Sequence, residues 1–232
     1  MSYVAALTPS IRHLPSVRGP SFAVSATAMD LFEPEGDESG QDIDLRQLRH
    51  HTKNTLQRIL GLIAGSPGLY GSPGGEQIAR ELEHRICLSA TISNALFGLT
   101  SAPGPMAQRL RQLAGAVVDM MRDDGQSIRA GVSVRGYCPV ALRETVLRSA
   151  HELVGNAVKH GMKGRVAGRI SVRLVTDDDG TTLSVSDDGC GFVGKPRAGE
   201  GLSLARAFAA RHGGSLTLDG SDGTVATLEL PH

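Results

Sequence analysis

Four polar residues lie close together in the segment HELVGNAVKHG: Glu152, Asn156, Lys159 and His160. On a helix that turns about 100° per residue, their spacings of four, three and one put them on the same side. A carboxylate, an amide oxygen, an ammonium and an imidazole that converge in this way suit a hydrated cation and phosphate oxygens. For this segment alone, a solvated helix face is the alternative interpretation.

Two further segments combine glycines with polar groups. In SVSDDGCGF a predicted strand ends at Asp187, and Gly189 and Gly191 follow it, so a carboxylate acceptor lies beside backbone that a flat ligand can approach closely. A hairpin turn is the other interpretation of this pattern. In AGEGLSLARAFAARHGG, Gly199 and Gly201 directly precede a predicted helix, where free N–H groups and the helix dipole favour an anion.

The segment LRHHTKNTLQ sets His50 and His51 side by side. On a helix His50 is about 160° from the apolar Leu48 and points to solvent, whereas His51 is only about 60° away from it. Adjacent histidines diverge by about 100°, which makes a metal pair a poor interpretation. The remaining interpretations are a reactive imidazole and two surface histidines without a function. The amide and ammonium groups on the side of His50 belong to Gln47, Lys53, Asn54 and Gln57.

Hydrophobic periodicity predicts three helices in the front half of the chain. After Asp44 apolar residues fall at spacings of three and four, with Thr52 filling one gap, and the loop GSPGLYGSPGGE ends this helix. This first stripe consists of Leu45, Leu48, Leu56, Ile59 and Ile63. A second helix follows the loop, and a third begins after Pro105. The second apolar stripe consists of Ile78, Leu82, Ile86 and Leu96, and the third of Met106, Leu110, Leu113, Val117 and Met121.

The back half has a mixed pattern. GVSVRG alternates like a strand, a long helix runs from Pro139 to about Gly161, and RISVRLVT and TTLSVSD form a strand pair around the turn DDDG. A helix from about Leu202 to His212 and the strands GSLTLDG and TVATLELP complete it. The sequence therefore predicts an α+β fold in which a helical part precedes a mixed part.

Composition excludes several classes of protein. Lysine plus arginine and aspartate plus glutamate are balanced at 24 each, so no global field draws the chain to nucleic acid or to an anionic membrane. The three cysteines form no CxxC pair and fit reduced thiols. No apolar run has the roughly 18 residues of a membrane helix, and the N-terminus lacks a secretory signal, which indicates a cytoplasmic protein.

Taken together and in this order, the three back-half segments resemble the ATP-binding domain of histidine kinases, in the wider group that includes gyrase and Hsp90. HELVGNAVKHG resembles the N box, DDGCGF the first glycine box and GEGLSLARAFAARHGG the second, over about residues 128–232. The resemblance implies a Bergerat-type α/β sandwich that binds ATP and Mg²⁺.

The resemblance also implies roles for individual residues. Asn156 would coordinate Mg²⁺, with Glu152 supporting it through water, and Asp187 would accept the adenine amino group. Lys159 and His160 would face the phosphates. The glycines of the first box would be Gly189 and Gly191, and the base of a short lid would be Gly199, Gly201 and Leu202.

HHTKNTLQ resembles the phosphoacceptor box of the HWE histidine kinases, roughly HRxKNxLQ, and His151 in the N box also fits that group. His50 would be the phosphoacceptor, flanked by Lys53 and Asn54, and His51 would replace an arginine. The implied protein is a sensor-less cytoplasmic histidine kinase of a two-component system. Its partners would be the receiver domain of a response regulator and possible separate sensor proteins, without nucleic acid or membrane insertion.

The expected domains are a flexible leader at 1–40, a dimerisation and phosphoacceptor hairpin at 41–100, and the ATP-binding domain at 101–232. Because one apolar stripe per helix cannot be buried within a hairpin, we expect two copies to form a four-helix bundle.

Two alternatives stay open. The first is a histidine phosphotransferase on a kinase scaffold that does not use ATP. Its support is the short lid and Gln47, which stands where relatives often carry an acidic residue. The second is an anti-sigma-like binding module that uses the ATP fold to hold a protein.

Overall fold

In the computed structural model of the protein, the described residues are 54–98, 104–194 and 199–232. The expectations for the leader and for His50, His51 and Lys53 lie outside these residues. None of the described helices is both long enough and apolar enough to cross a membrane.

Helices come first in the described chain. Residues 54–64 are helical and form the described part of α1. Helix α2 spans Pro73–Phe97 and α3 spans Met106–Met121. Helix α2 begins inside the predicted loop, because the side chain of Ser72 accepts a hydrogen bond from the backbone N–H of Gly75 and Pro73 fits the first turn.

The predicted stripe of α2 is covered unevenly, because Ile86 and Leu96 are half-buried and Leu96 packs against the hydrophobic core. Ile78 and Leu82 are exposed, and the residues of α2 that are buried are Ala79, Ile92 and Ala95. In α3 the predicted stripe is buried at Leu110, Leu113 and Val117, whereas Met121 is exposed.

Helix α4 spans Val140–Asn156, with Pro139 directly before its first turn as the sequence predicted. It continues into a π-helical turn, Ala157–Gly161, in which the N–H of Met162 donates to the carbonyl of Ala157. Helix α5 spans Glu200–Ala210.

Five strands form one sheet in the order β1-β2-β3-β5-β4. Strand β1 is parallel to β2, with α4 as the crossover between them, and the other pairs are antiparallel. The strands are β1 Ser127–Arg135, β2 Ala167–Thr176, β3 Gly180–Asp187, β4 Ser215–Asp219 and β5 Thr224–Pro231. The strand pair that the sequence predicted around DDDG is confirmed as β2 and β3.

One face of the sheet packs under α3, α4 and α5. Strand residues alternate between the two faces, so Ile170, Val172 and Leu174 are buried while Arg169 and Arg173 are exposed. Ile92 and Ala95 of α2 belong to the same hydrophobic core as these strand residues. The described chain is thus an α+β fold with helices on one face of a mixed sheet, as predicted.

Candidate functional site

A cavity of about 490 Å³ opens between the end of α4 and its π turn, the end of β3, the start of β5 and the start of α5. Its apolar walls include Leu153, Ala157, Val185, Leu218 and Ala226. The structure brings seven of the predicted site residues to its lining: Asn156, Lys159, His160, Asp187, Gly191, Gly199 and Leu202.

Asp187 ends strand β3 at the cavity and is 8% exposed. Its Oδ1 accepts hydrogen bonds from the backbone N–H groups of Gly189, at 2.9 Å, and Thr224, at 3.3 Å. Since a carboxylate offers about four lone-pair sites, these two donors leave room for another. Asp187 can therefore accept a hydrogen bond from a ligand while its orientation is fixed by the backbone.

Burial raises the pKa of the Asp187 carboxyl group, and the negative charge of Asp188 adds to the effect. The hydrogen bonds from Gly189 and Thr224 oppose it without cancelling it. The site thus holds a carboxylate whose ionised form is costly to bury.

Close backbone contacts explain two glycines around this carboxylate. A Cβ on Gly161 would lie 2.5 Å from Oδ1 of Asp187, and one on Gly189 would lie 2.3 Å from the carbonyl oxygen of Gly161. The thiol of Cys190 donates to the carbonyl of His160 at 3.7 Å. The first glycine box is therefore tied directly to the π turn, and side chains at Gly161 or Gly189 would separate them.

Glu152 and Gly201 lie next to Asn156, which lines the cavity, but they are not in the lining themselves, and neither is Gly189. A Cβ on Gly201 would lie 2.4 Å from Oε2 of Glu152 and 3.7 Å from Nδ2 of Asn156. Oε1 of Glu152 is 3.0 Å from Nδ1 of His151. Because Gly201 has no side chain, the carboxylate of Glu152 can lie directly against the start of α5, and the two helices pack closely here.

These residues fit a magnesium ion. Nδ2 of Asn156 is buried, and no described residue accepts a hydrogen bond from it. A half turn of the amide would present the oxygen instead. Mg²⁺ commonly takes one or two protein oxygens and completes its shell with waters and substrate phosphates. A Mg²⁺ site of this kind does not require three or more His, Cys, Asp or Glu side chains, and the described residues contain no such group.

Side-chain and backbone hydrogen-bond donors border the same region. Lys159 and His160 are exposed on the π turn and line the cavity. Helix α5 has Gly199 at its N-cap, and no side chain caps its first turn. The N-terminal N–H groups, the ammonium and the imidazole together offer donors to an anion.

Two predicted site residues lie outside the described chain, namely His50 and Lys53. Asn54 is the first described residue, and it is exposed at the beginning of the described part of α1. The geometry around the phosphoacceptor therefore stays a prediction.

Sequence reasoning missed three residues that shape the cavity: Gly161, Phe192 and Thr224. The N–H of Phe192 donates to the carbonyl of Gly220, and a Cβ on Gly220 would lie 2.5 Å from the Phe192 ring. Phe192 and Gly161 stand at the ends of motifs that the sequence already marked, which is a usable signal. Thr224 follows Gly223 at the start of a strand and gave no signal of its own.

Comparison with known proteins agrees with this geometry. Residues 142–232 match the family described as histidine kinase-, DNA gyrase B-, and HSP90-like ATPase. No curated protein sequence matches the chain. The chain thus contains a histidine kinase-like ATPase domain.

Solved structures also resemble the chain. One is the histidine kinase domain from the Erythrobacter litoralis EL346 blue-light activated histidine kinase, with a TM-score of 0.53 and 18% identity over 83% of this chain and 94% of that one. Another structure of the Erythrobacter litoralis EL346 blue-light activated histidine kinase gives a TM-score of 0.53 and 20% identity over 84% of this chain and 61% of that one. At these identities the likeness shows the fold.

Proposed function

We propose that the protein is a histidine protein kinase that transfers the γ-phosphoryl group of Mg-ATP to its own His50. The observation that carries the proposal is that one cavity is lined by both the buried carboxylate of Asp187 and the amide of Asn156, together with Lys159 and His160. A nucleotide has a base with hydrogen-bond donors and a chain of anionic phosphates, and the cavity offers an acceptor for the base and donors for the phosphates.

The adenine would lie at the Asp187 end. Its exocyclic amino group donates, and the buried carboxylate accepts, so a base with a carbonyl at that position would meet a repulsive pair of acceptors. Apolar side chains such as Leu153, Val185 and Ala226 line the cavity where the flat faces of the base would pack.

The phosphates would lie towards Asn156 and the start of α5. Lys159, His160 and the N–H groups after Gly199 would bind phosphate oxygens, and Asn156 and Glu152 would hold Mg²⁺ directly and through water. When bound, Mg²⁺ would neutralise part of the phosphate charge and orient the terminal phosphoryl group.

His50 would act as the nucleophile through its unprotonated ring nitrogen. The nitrogen–phosphorus bond forms while the bond from the γ-phosphorus to the bridging oxygen breaks, and ADP leaves. An imidazole with a reference pKa of about 6.5 is mostly unprotonated at neutral pH, which makes this nitrogen available. Lys53 and Asn54, close to His50 in the sequence, would donate to the transferred phosphoryl group.

The phosphoryl group would then pass to an aspartate on the receiver domain of a response regulator. We place the chemistry in the cytoplasm, in a homodimer whose phosphoacceptor hairpin lies within residues 41–100 and whose ATP-binding domain lies within 101–232. The phosphoacceptor segment is assigned to the HWE type or a close relative.

Incubation with γ-labelled ATP and Mg²⁺ tests the proposal. We expect label that is stable in alkali and labile in acid on the wild-type protein, and none on His50→Ala or Asn156→Ala. His51→Ala is the matched control and should keep its label. Label on His50→Ala would contradict the assignment of the nucleophile.

The same experiment separates the alternatives. A wild-type protein that takes no label from ATP but accepts it from a phosphorylated receiver domain would be a phosphotransferase. A protein that binds ATP and acquires phosphate from neither source would be a binding module.

A further inference from the structure

The guanidinium group of Arg148, on α4, lies between two phenylalanine rings. Its Cζ is 5.4 Å from the centre of the Phe97 ring and 5.6 Å from the centre of the Phe208 ring. The whole chain has only five phenylalanines and no tryptophan, so two of its few large aromatic rings surround one cation. Both distances are within the range of about 6 Å in which a cation is attracted to a ring face.

The two rings belong to helices with different proposed roles, α2 and α5. Phe97 is the C-terminal residue of α2, which follows α1 and hence the segment of His50. Phe208 is buried on α5, whose first residues border the phosphate end of the cavity. Arg148 lies on α4, one helical turn before Glu152. Because its guanidinium group lies near both Phe97 and Phe208, it connects α2 to α5 across the helix that carries the N box.

Neighbouring groups restrict the arginine. Nη2 of Arg148 is 2.6 Å from Oε1 of Glu144, and Nε is buried without a hydrogen-bond partner among the described residues. A partly desolvated cation interacts with aromatic faces more strongly than an exposed one. The rings are thus the principal partners of the inner part of this guanidinium.

A second arginine holds the same end of α2. Nε and Nη2 of Arg109, on α3, donate to the carbonyl oxygens of Ala95 and Leu96 at 3.0 and 3.2 Å. These bonds satisfy carbonyls of the last helical turn. The end of α2 is therefore anchored to α3 independently of Arg148, which leaves the contact from Phe97 through Arg148 to Phe208 as a distinct connection to α5.

We infer that Arg148 is a positioning residue that couples the nucleotide-binding helix α5 to the end of the phosphoacceptor hairpin. This inference rests on the proposed kinase function. Phosphates that bind at the start of α5 fix that helix, and Phe208 and Arg148 then fix Phe97 and the orientation of α2. Arg148 is not in the lining of the cavity, so its effect would fall on the transfer step and not on nucleotide binding.

Arg148→Met tests this role in the full chain, because methionine keeps an apolar stem between the rings and removes the cation. We expect a non-hydrolysable ATP analogue to bind within about twofold of the wild-type Kd, while the rate of His50 phosphorylation at saturating ATP falls about tenfold or more. Arg148→Lys keeps a cation but not the planar fork and should recover part of that rate.

Arg143→Met is the matched control. Arg143 is also on α4 and its Cζ lies 5.2 Å from the centre of the Tyr137 ring, outside the cavity lining and without either phenylalanine. It should change neither the analogue Kd nor the phosphorylation rate. An equal loss of rate in Arg143→Met and Arg148→Met would overturn the inference, because any substitution that disturbs α4 would then lower the phosphorylation rate.

Hydrogen exchange gives a readout that does not need turnover. In the wild-type protein the analogue should slow exchange at residues 90–97 of α2, and in Arg148→Met this response should disappear while protection at α5 persists. A response that survives in Arg148→Met, or a rate that does not change, refutes the coupling. Failure of the wild-type protein to bind the analogue would instead refute the proposed function itself.

Discussion

Burial of Asp187 raises the pKa of its carboxyl group even though Gly189 and Thr224 donate hydrogen bonds to it. A raised pKa means that the folded protein binds this proton more tightly than the unfolded chain does. Ionisation of Asp187 therefore costs stability in full at pH values above the raised pKa, and this cost shrinks as the pH falls through the raised pKa and vanishes below the pKa of the unfolded chain. A residue that disfavours folding at neutral pH is expected where ligand binding needs it.

Asp187→Asn should separate binding from stability. An amide keeps an acceptor for Gly189 and Thr224 but presents a weaker acceptor or a donor to the adenine amino group. The loss of a hydrogen bond to a charged group is worth about 1.5–3 kcal/mol, so the Kd for an ATP analogue should rise about tenfold to a hundredfold.

The melting temperature of Asp187→Asn should equal or exceed that of the wild-type protein at about pH 8, and the difference should shrink as the pH is lowered and the wild-type carboxyl takes up its proton. Calorimetry of both proteins across this range measures the effect. A variant that is less stable than the wild-type protein at the higher pH would show that the ionised carboxylate stabilises the fold.

Gly201→Ala should weaken the binding of Mg²⁺ without destabilising the fold. The new Cβ would meet the flexible end of Glu152, which can move away, and at a position that alanine can adopt it is more stable than glycine by about 0.4–1 kcal/mol. We expect the Mg²⁺ concentration for half-maximal phosphorylation to rise several-fold while the free energy of unfolding is unchanged or higher.

Gly115→Ala is the control for Gly201→Ala, since Gly115 is a helical glycine on α3 with open space where a Cβ would stand. It should gain similar stability and keep the wild-type magnesium titration. Identical titrations for both variants would argue against a role of Glu152 near the ion.

Motif spacing marked seven residues that line the cavity, and most of them stand near the end of a strand or helix, whereas the marked residues Glu152, Gly189 and Gly201 are not in its lining. The contact of Thr224 with Asp187 spans 37 residues. It depends on the register of β3 against β5, in which Asp187 stands opposite Thr224. Register between strands that are distant in sequence is a tertiary property, so no local pattern could reveal it.

At the scale of elements, two boundaries differ from the predictions for physical reasons. The helix predicted to reach about Gly161 ends in a π turn at Ala157–Gly161, and a wider last turn leaves hydrophobic periodicity almost unchanged. Helix α2 starts at Pro73 because a proline in the first turn loses no helical hydrogen bond. Both differences alter the local backbone and leave the order of elements intact.

Helix α2 has two different halves. Ile92 is 7% exposed and belongs to the core of the sheet domain, whereas Ile78 is 57% exposed. Ile92→Ala should lower the free energy of unfolding by about 2–4 kcal/mol, and Ile78→Ala by less than about 1 kcal/mol. Urea unfolding of the two variants measures both values, and equal losses would contradict the division.

At the scale of the molecule, exposed apolar side chains collect on α1 and the first half of α2. Leu62 is 70% exposed and Leu82 is 42% exposed, and Ile59 and Ile78 add to the same elements. Such exposure on helices that precede an ATP-binding domain supports the proposed dimer, in which a second copy would cover these residues.

The double variant Leu62→Glu/Leu82→Glu should be monomeric at concentrations where the wild-type protein is a dimer, because two charges would be buried in each hairpin. Light scattering after size exclusion measures the mass. Val166→Glu, at an exposed position directly before β2, should leave the dimer intact. A wild-type monomer, or a double variant that still dimerises, would contradict the proposed bundle.

Strand β5 lies between β3 and β4 in the sheet, although β4 precedes it in the chain. It also supplies Thr224 to Asp187. During synthesis the ribosome therefore releases every box of the ATP motif before the sheet can close around them. An mRNA truncated before codon 224 would yield a chain with all the recognised motifs but with an open edge at β3 and without the hydrogen bond that Thr224 donates to Asp187.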